Sequence, residues 1–149
     1  MLTDSYEQLA KGLAATISEA KRAGVRRILI VGPTPEFPVH PPYCLMRTIR
    51  VGIDACTIGR AAVEARRVRT METLLGVTAG IEGVRVIDPI DLFCTEATCQ
   101  PHEGRTLYFS DSNHLSAAGA ERIYKAYEND FLWALIGDGT DKTSRLNSF

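Results

Sequence analysis

The sequence predicts an α/β domain built on a parallel open sheet, of which only a part is present. Two short apolar runs, 27–31 and 84–87, are rich in β-branched residues, as is typical of strands buried on both faces of a parallel sheet. Amphipathic segments precede, separate and follow them, so the predicted order is helix–strand–helix–strand–helix. Since sheets usually have about four to six strands, we interpret the domain as a partial three-layer sheet whose N-terminal strands are missing.

The composition agrees with a single globular domain and excludes several classes of function. The chain has 149 residues, 45% of them hydrophobic, and a formal net charge of −1 from 17 basic and 18 acidic side chains. A nucleic-acid-binding protein would need a basic face, which this balance does not favour. No apolar run approaches the ~18 residues that a membrane span requires. The N-terminus predicts no signal peptide, because it lacks both a charged region and an apolar one.

The first and last helices are predicted from apolar residues that recur at spacings of three and four. The first covers 6–22 and has Asp4 or Ser5 as its cap. The last covers 116–131, and Ser116 is its expected N-cap. Its expected inward residues are Ala120, Ile123, Tyr124, Tyr127 and Phe131.

The second helix is predicted over 58–75, with an apolar face and a basic face. The apolar face holds Ala61, Ala62, Ala65, Val68, Met71, Leu74 and Leu75, and the solvated basic face holds Arg60, Arg66, Arg67 and Arg69. Between the elements, the proline-rich stretch 33–42 predicts a rigid irregular loop, and 107–109 predicts a short extended piece. The polar stretch 137–149 predicts a loose tail, so the domain itself is expected to cover 1–136.

The four cysteines fit two disulfides, which form in an oxidising compartment. The predicted pairing joins nearest neighbours along the chain, Cys44 with Cys56 and Cys94 with Cys99. Four reduced, buried thiols and a zinc site are the alternatives. No metal site is predicted, because none of the spacings is Cys-x-x-Cys and no histidine lies at zinc-finger spacing.

The segment between the extended piece and the last helix contains the strongest candidate for chemistry. Asp111 and His114 are three residues apart in a predicted turn, so the carboxylate can bind Nδ1 of the imidazole. That contact fixes the tautomer of the ring and leaves Nε2 free to act as a base. The alternative interpretation is a turn in which Asp111 caps the local backbone and His114 is an ordinary loop residue.

The chain resembles the C-terminal half of an SGNH (GDSL-type) hydrolase domain, whose last motif is Asp-x-x-His before the final helix. It is most similar to the SGNH-like domains fused to bacterial integral-membrane acyltransferases. The likeness lies in the strand and loop at 28–38, in Val-Ile-Asp-Pro at 86–89 followed by Cys94 and Cys99, and in the block 107–120. The resemblance implies an SGNH or flavodoxin-like sheet and a role in O-acylation of cell-surface polysaccharide outside the cytoplasmic membrane. It implies no cofactor.

The chain departs from the SGNH pattern because the motifs with the nucleophilic serine and the oxyanion-hole Gly and Asn are absent. Asp4-Ser5 resembles the end of a Gly-Asp-Ser motif, but Thr3 stands in place of the glycine and no strand precedes it. Ser110 and Ser112 belong to the turn that would hold the base. The sequence therefore predicts a base and its orienting carboxylate without a nucleophile or an oxyanion hole.

Other candidate residues have weaker support. Glu36 in the proline-rich loop is a candidate contact for a substrate hydroxyl, and Arg47 is a candidate contact for an anionic sugar or an acyl carbonyl; ordinary surface positions are the alternative for both. Asp88 and Asp91 are expected to cap or turn the chain rather than to bind a metal. Trp133 is expected to be a core anchor at a helix end.

Besides a cytosolic α/β protein of unrelated function, in which Asp-x-x-His is incidental, two hypotheses for function follow from this pattern. In the first, the chain is the C-terminal portion of a serine esterase or O-acyltransferase, with His114 as base and Asp111 as its orienting partner. Its expected partners are an acyl donor, a polysaccharide acceptor, the upstream half of the domain and a membrane acyltransferase region, with a periplasmic location. In the second, it is a non-catalytic remnant that binds glycan or a protein partner. An exposed sheet edge also predicts homo-oligomerisation.

Overall fold

Five helices and six short strands make up the residues that the computed structural model describes, which are 2–52 and 56–137. The helices are α1 (Leu2–Arg22), α2 (Pro41–Val51), α3 (Arg60–Thr78), α4 (Ala117–Ala126) and α5 (Glu128–Ile136). The strands are β1 (Ile28–Val31), β2 (Ile58–Gly59), β3 (Val84–Ile87), β4 (Thr98–Cys99), β5 (His102–Glu103) and β6 (Thr106–Leu107). A 3₁₀ turn covers Ile90–Leu92.

A parallel pair of strands organises the fold and confirms the predicted α/β class. β1 pairs with β3 in a register that runs from Ile28 opposite Val84 to Val31 opposite Ile87. α3 lies between them in the chain, packs on α1 and contacts β3, while α5 contacts β1. The other strands form two small antiparallel pairs, β2 with β4 and β5 with β6. Because β1 and β3 are parallel, the segments that follow them leave the sheet at the same edge.

The three phenylalanines of the buried core cluster lie in segments that follow strands rather than in the strands themselves. Phe109 is completely buried, and its ring packs edge-to-face on Phe37 at 5.0 Å and on Phe93 at 5.1 Å. Such edge-to-face pairs are worth about 0.5–1.5 kcal/mol beyond the burial of their area. This aromatic cluster joins the segments after β1 and β3 to the segment before α4. The other members of the core are Val63, Ile87, Ile90, Cys99 and Ile123.

Both predicted disulfides are present, Cys44 with Cys56 and Cys94 with Cys99. Cys44 lies on α2. The prediction of a loop over 33–42 is wrong at its end, because α2 begins at Pro41. Proline is tolerated in the first turn of a helix, since the first backbone N–H groups have no partner four residues back.

The orientation predicted for the second helix is wrong except at Leu74, which is buried as predicted. The buried side of α3 holds Val63, Arg67, Leu74 and Thr78, whereas the alanines and Val68 of the predicted inward face are exposed. Arg67, predicted on a solvated basic face, is only 6% exposed. The helix also begins at Arg60, two residues later than predicted, because Ile58 and Gly59 pair with β4.

The predicted last helix is interrupted at Tyr127, which separates α4 from α5. The hydroxyl of Tyr127 donates to the backbone carbonyl of Asp88, which fixes this break to the segment after β3. Ile123 is buried as predicted, but Ala120 and Tyr124 are exposed. Trp133 on α5 is buried, as expected of a core anchor.

The structure tests the predicted cap of the first helix but not the predicted polar tail. α1 starts at Leu2, so Asp4 and Ser5 lie inside the helix and the prediction that they cap it is wrong. The predicted tail falls outside the described residues apart from Gly137. Within 2–52 and 56–137, no helix is both long and apolar enough to cross a membrane.

Arg67 connects the segments that follow the two parallel strands. Its Nε donates to the carbonyl of Pro33 at 3.2 Å, and one terminal nitrogen donates to the carboxylate of Asp88. The other terminal nitrogen donates to Glu64 at 2.8 Å. Asp88 also accepts from the backbone N–H of Ile90 at 3.2 Å, which agrees with the turn role expected for it. The buried guanidinium thus has an acceptor at each of its three nitrogens.

Replacing this guanidinium should destabilise the fold. We expect Arg67→Ala to lower the free energy of unfolding by about 2–3 kcal/mol, below the ~3–5 kcal/mol typical of a fully buried pair because Asp88 is partly solvated. Arg66→Ala is the matched control, since Arg66 is exposed on the same helix, and should change stability by less than about 0.5 kcal/mol. Urea denaturation measures both. Equal effects of the two substitutions would contradict this role of Arg67.

Candidate active site

A tight turn before α4 holds the predicted catalytic pair. Phe109 and Leu115 form an isolated antiparallel bridge, and the N–H of Ser110 donates to the carbonyl of His114 at 2.8 Å. Asp111 closes the turn from inside, because its Oδ1 accepts from the backbone N–H of Asn113 at 3.0 Å and of His114 at 2.8 Å. The carboxylate predicted to orient the base therefore also holds the turn together.

The predicted contact between Asp111 and His114 is present. Oδ2 of Asp111 lies 2.8 Å from Nδ1 of His114. The two backbone N–H donors and then the imidazole lower the pKa of Asp111 to about 2, from an ordinary value of 3.8. The carboxylate is ionised at neutral pH, so the proton in this hydrogen bond belongs to Nδ1. In the neutral ring, Nε2 then carries a free lone pair, and the His114 side chain is 75% exposed.

The segment after β1 fixes the outside of this turn. The backbone N–H of Phe37 donates to the carbonyl of Ser112 at 2.8 Å, and the Phe37 ring packs on Phe109 beneath. Because Arg67 binds Pro33 in the same segment, the strand ends, the proline-rich segment and the Asp–His turn are joined through consecutive contacts. The predicted site thus rests on a buried scaffold although His114 itself faces solvent.

The start of α4 holds the other end of the turn. Ser116 is the N-cap, as predicted: its Oγ accepts from the N–H of Gly119 at 3.2 Å and donates to the carbonyl of Leu107 at 2.6 Å. Gly119 lies against the preceding segment, where a Cβ atom would come 2.1 Å from the carbonyl oxygen of Tyr108. The close approach of helix and turn therefore requires glycine at this position.

The predicted substrate contacts lie on separate parts of the surface. Glu36 lines a cavity of about 350 Å³ between the segment after β1, α1 and α3, together with Tyr6, Thr34, Arg66 and Arg69. Arg47 is on the exposed side of α2. His114 does not line the Glu36 cavity. Binding of substrate by Glu36 and Arg47 stays a prediction.

None of the serines considered as a nucleophile is paired with the base. Ser5 is exposed within α1. The Oγ of Ser110 is 3.2 Å from the carbonyl of His114, to which it donates, and Ser112 is exposed in the turn. Among residues 2–52 and 56–137, no hydroxyl is hydrogen-bonded to the His114 ring. Over the same residues no group of three or more His, Cys, Asp or Glu side chains could hold a metal ion.

Sequence reasoning missed two residues that support the site, Arg67 and Phe37. One signal for Arg67 was available, because it stands four residues after Val63 and seven before Leu74, in line with the buried side of α3. The role of Phe37 depends on a contact with Ser112, 75 positions along the chain. No local pattern could have shown that contact.

The carboxylate of Asp111 gives a direct test of the turn. Because its pKa is lower in the fold, ionised Asp111 stabilises the turn above pH ~4, and this contribution is lost as the pH falls through about 2. Carboxyl carbon NMR should therefore show a titration midpoint near 2 for Asp111, while an unfolded peptide covering 109–116 should titrate near the ordinary value of 3.8. Equal midpoints in the chain and the peptide would contradict the geometry of the pair.

Gly119 gives a second test, through packing. Gly119→Ala should destabilise the fold by about 1–3 kcal/mol, as overpacking against fixed backbone does. Gly12→Ala is the matched control, because Gly12 lies in α1 and a Cβ added there would have no neighbouring atom within 4 Å. Alanine is the better helix former, so this control should stabilise by about 0.5–1 kcal/mol. Thermal unfolding of both variants measures the two changes in stability. If Gly119→Ala stabilised the fold, α4 would not lie this close to Tyr108.

Comparison with known proteins places these features in a family. The family described as "SGNH domain (fused to AT3 domains)" matches residues 2–129. Among solved structures, the periplasmic domain of a lipopolysaccharide acetyltransferase from Salmonella ser. Paratyphi A has a similar fold, with a TM-score of 0.66 at 16% sequence identity. The similarity covers 85% of this chain and 50% of that one, so the chain corresponds to about half of the solved domain. No curated protein matches. The chain belongs to the family of SGNH domains that are fused to AT3 domains.

Proposed function

We propose that this chain carries the base half of an O-acyltransferase site that acts on cell-surface polysaccharide at the periplasmic side of the membrane. The observation that carries the proposal is the hydrogen bond between Asp111 and His114, which leaves Nε2 exposed and unpaired among the described residues. Two further facts support it: the family is fused to AT3 domains, and a protein of similar fold is a periplasmic domain of a lipopolysaccharide acetyltransferase.

The proposed reaction is acyl transfer through a serine ester. Nε2 of His114 takes the proton of a serine hydroxyl as the serine oxygen attacks the acyl carbonyl, and the imidazolium then protonates the leaving group. In the second half, Nε2 takes a proton from a sugar hydroxyl, which attacks the serine ester, and the proton returns to the serine. Asp111 keeps Nδ1 protonated and stabilises the imidazolium in both halves. The acyl group proposed is acetyl.

We infer that the nucleophile and the oxyanion donors come from the rest of the domain. The chain corresponds to half of the solved domain, and no hydroxyl in 2–52 and 56–137 pairs with His114. The sheet supports the same inference. Within the described part, β1 pairs with β3 alone, and its Val31 is exposed. A further parallel strand on the free edge of β1 would pair with its backbone and cover Val31. The carboxyl end of that strand would then lie next to the Asp–His turn.

The proposal has two alternatives, one at the free edge of β1 and one at the Asp–His turn. A second copy of the chain could pair with the β1 edge, which would give a dimer without supplying a serine. A domain of this kind could also bind glycan without chemistry, with Asp111 and His114 acting as ligand contacts. Activity measurements on the chain and on the complete domain separate these alternatives from the proposal.

The chain alone should show no esterase activity above background on p-nitrophenyl acetate, because a base without a nucleophile and an oxyanion hole cannot form the serine ester. The chain joined at its N-terminus to the rest of the domain should be active. In that longer protein, His114→Ala and Asp111→Ala should each lower kcat/KM by about 10²–10⁴-fold.

His40→Ala is the matched control, since His40 is an exposed histidine outside the turn, and it should keep full activity. Turnover by the chain alone that disappears in His114→Ala would mean that a serine of this chain is the nucleophile. An inactive complete domain that still binds polysaccharide would support the binding module and overturn the proposal.

A further inference from the structure

Helix α2 presents an unusual combination of side chains to solvent. Tyr43 is 70% exposed, Met46 50% and Ile49 51%. Arg47 and Arg50 are exposed on the same helix. At 100° per residue, positions 43, 46, 47 and 50 fall on one side of the helix and Ile49 at its border. The outward side of α2 is therefore apolar and basic at once.

The opposite side of α2 is fixed, so the helix cannot turn to bury these side chains. Pro41, Cys44 and Leu45 are buried. The disulfide between Cys44 and Cys56 ties the helix to the segment before β2. Thr48, at the inward border, donates to the carbonyl of Cys44 at 3.2 Å. The exposure of Tyr43, Met46 and Ile49 is thus a property of the folded chain.

The charged side chains on α2 itself have one sign. Residues 37–53 contain no Asp or Glu, although the whole chain has more acidic than basic side chains. Exposed apolar side chains on α5, namely Leu132, Leu135 and Ile136, lie instead on a helix with Glu128 and Asp130 in its first turn. Of these two helices, only α2 combines exposed apolar groups with arginines and no acidic side chain.

We propose that α2 lies in the interface of an anionic lipid bilayer, with Tyr43, Met46 and Ile49 among the acyl chains and Arg47 and Arg50 at the lipid phosphates. Helices with apolar side chains on one side and arginines beside them bind in this way, because the long arginine stems reach the headgroups while the apolar groups enter the hydrocarbon. The lipid charge supplies the negative complement that α2 itself lacks.

This position has a consequence for the candidate active site. The segment just before α2 donates from Phe37 to Ser112 in the turn of the catalytic pair. A bilayer that holds α2 would therefore keep the Asp–His turn close to the membrane surface. The consequence for catalysis rests on the proposed function, but lipid binding does not: it is measured without any acyl transfer, so each proposal can fail alone.

Vesicle binding tests the proposal on the full chain. The chain should sediment with vesicles of equal parts phosphatidylglycerol and phosphatidylcholine, and far less with pure phosphatidylcholine. Raising the salt should weaken binding. Removing one arginine, by Arg47→Gln or Arg50→Gln, should lower the partition coefficient about fivefold. Met46→Ser combined with Ile49→Ser should lower it about tenfold or more.

The matched control is Leu135→Ser combined with Ile136→Ser, which removes apolar groups that are even more exposed than Met46 and Ile49 and should leave binding unchanged. A second readout avoids any loss of folding in the α2 variants. In Tyr43→Trp, the introduced indole should shift its emission to shorter wavelength on anionic vesicles and be quenched by brominated lipids. The native Trp133 is buried and serves as the unquenched reference.

Equal binding to anionic and neutral vesicles would overturn the proposal, as would an unquenched indole at position 43. Loss of binding in the α5 control as large as in the α2 variant would also overturn it, since the contact would then not be specific to α2.

Discussion

The buried guanidinium of Arg67 sets the positions of the two segments that leave the parallel strands. A planar group with five donors can bind Pro33, Asp88 and Glu64 together, which a lysine ammonium on a flexible stem would not do in one fixed geometry. The burial of this charge is tolerated because it is paired and hydrogen-bonded. Once these segments are fixed, one supplies Phe37 to the outside of the Asp–His turn, and the other leads to the aromatic core beneath it.

The exposed parts of the molecule are as informative as this buried scaffold. His114 of the Asp–His turn faces solvent, β1 has a free edge within the described part, and α2 has exposed apolar groups beside arginines. An active site that closes around its substrate expels bulk water, which strengthens the electrostatic interactions inside it. A base as exposed as His114 therefore agrees with a half-site that is completed by further protein and positioned at a membrane, as the two proposals describe.

The features that could be predicted from the sequence are those that neighbouring residues determine. The two strands are continuous β-branched runs, Asp111 and His114 are three residues apart, and Ser116 caps the helix that follows. The failures depend on distant contacts. Arg67 is buried because Pro33 and Asp88 accept its hydrogen bonds. α3 therefore buries the side that carries Arg67, and its alanines are exposed. The prolines that predicted only a loop also fit the first turn of α2, and the break between α4 and α5 depends on the hydrogen bond from Tyr127 to the segment after β3.

The central claim is that the base in this chain serves a serine from elsewhere in the domain. Labelling of the complete domain with a fluorophosphonate, followed by peptide mapping, tests it most directly, because the reagent phosphonylates only a serine that a base activates. We predict one labelled serine outside residues 1–149 of this chain, with labelling that is lost in His114→Ala. Label on Ser5, Ser110 or Ser112, or labelling that does not depend on His114, would contradict it.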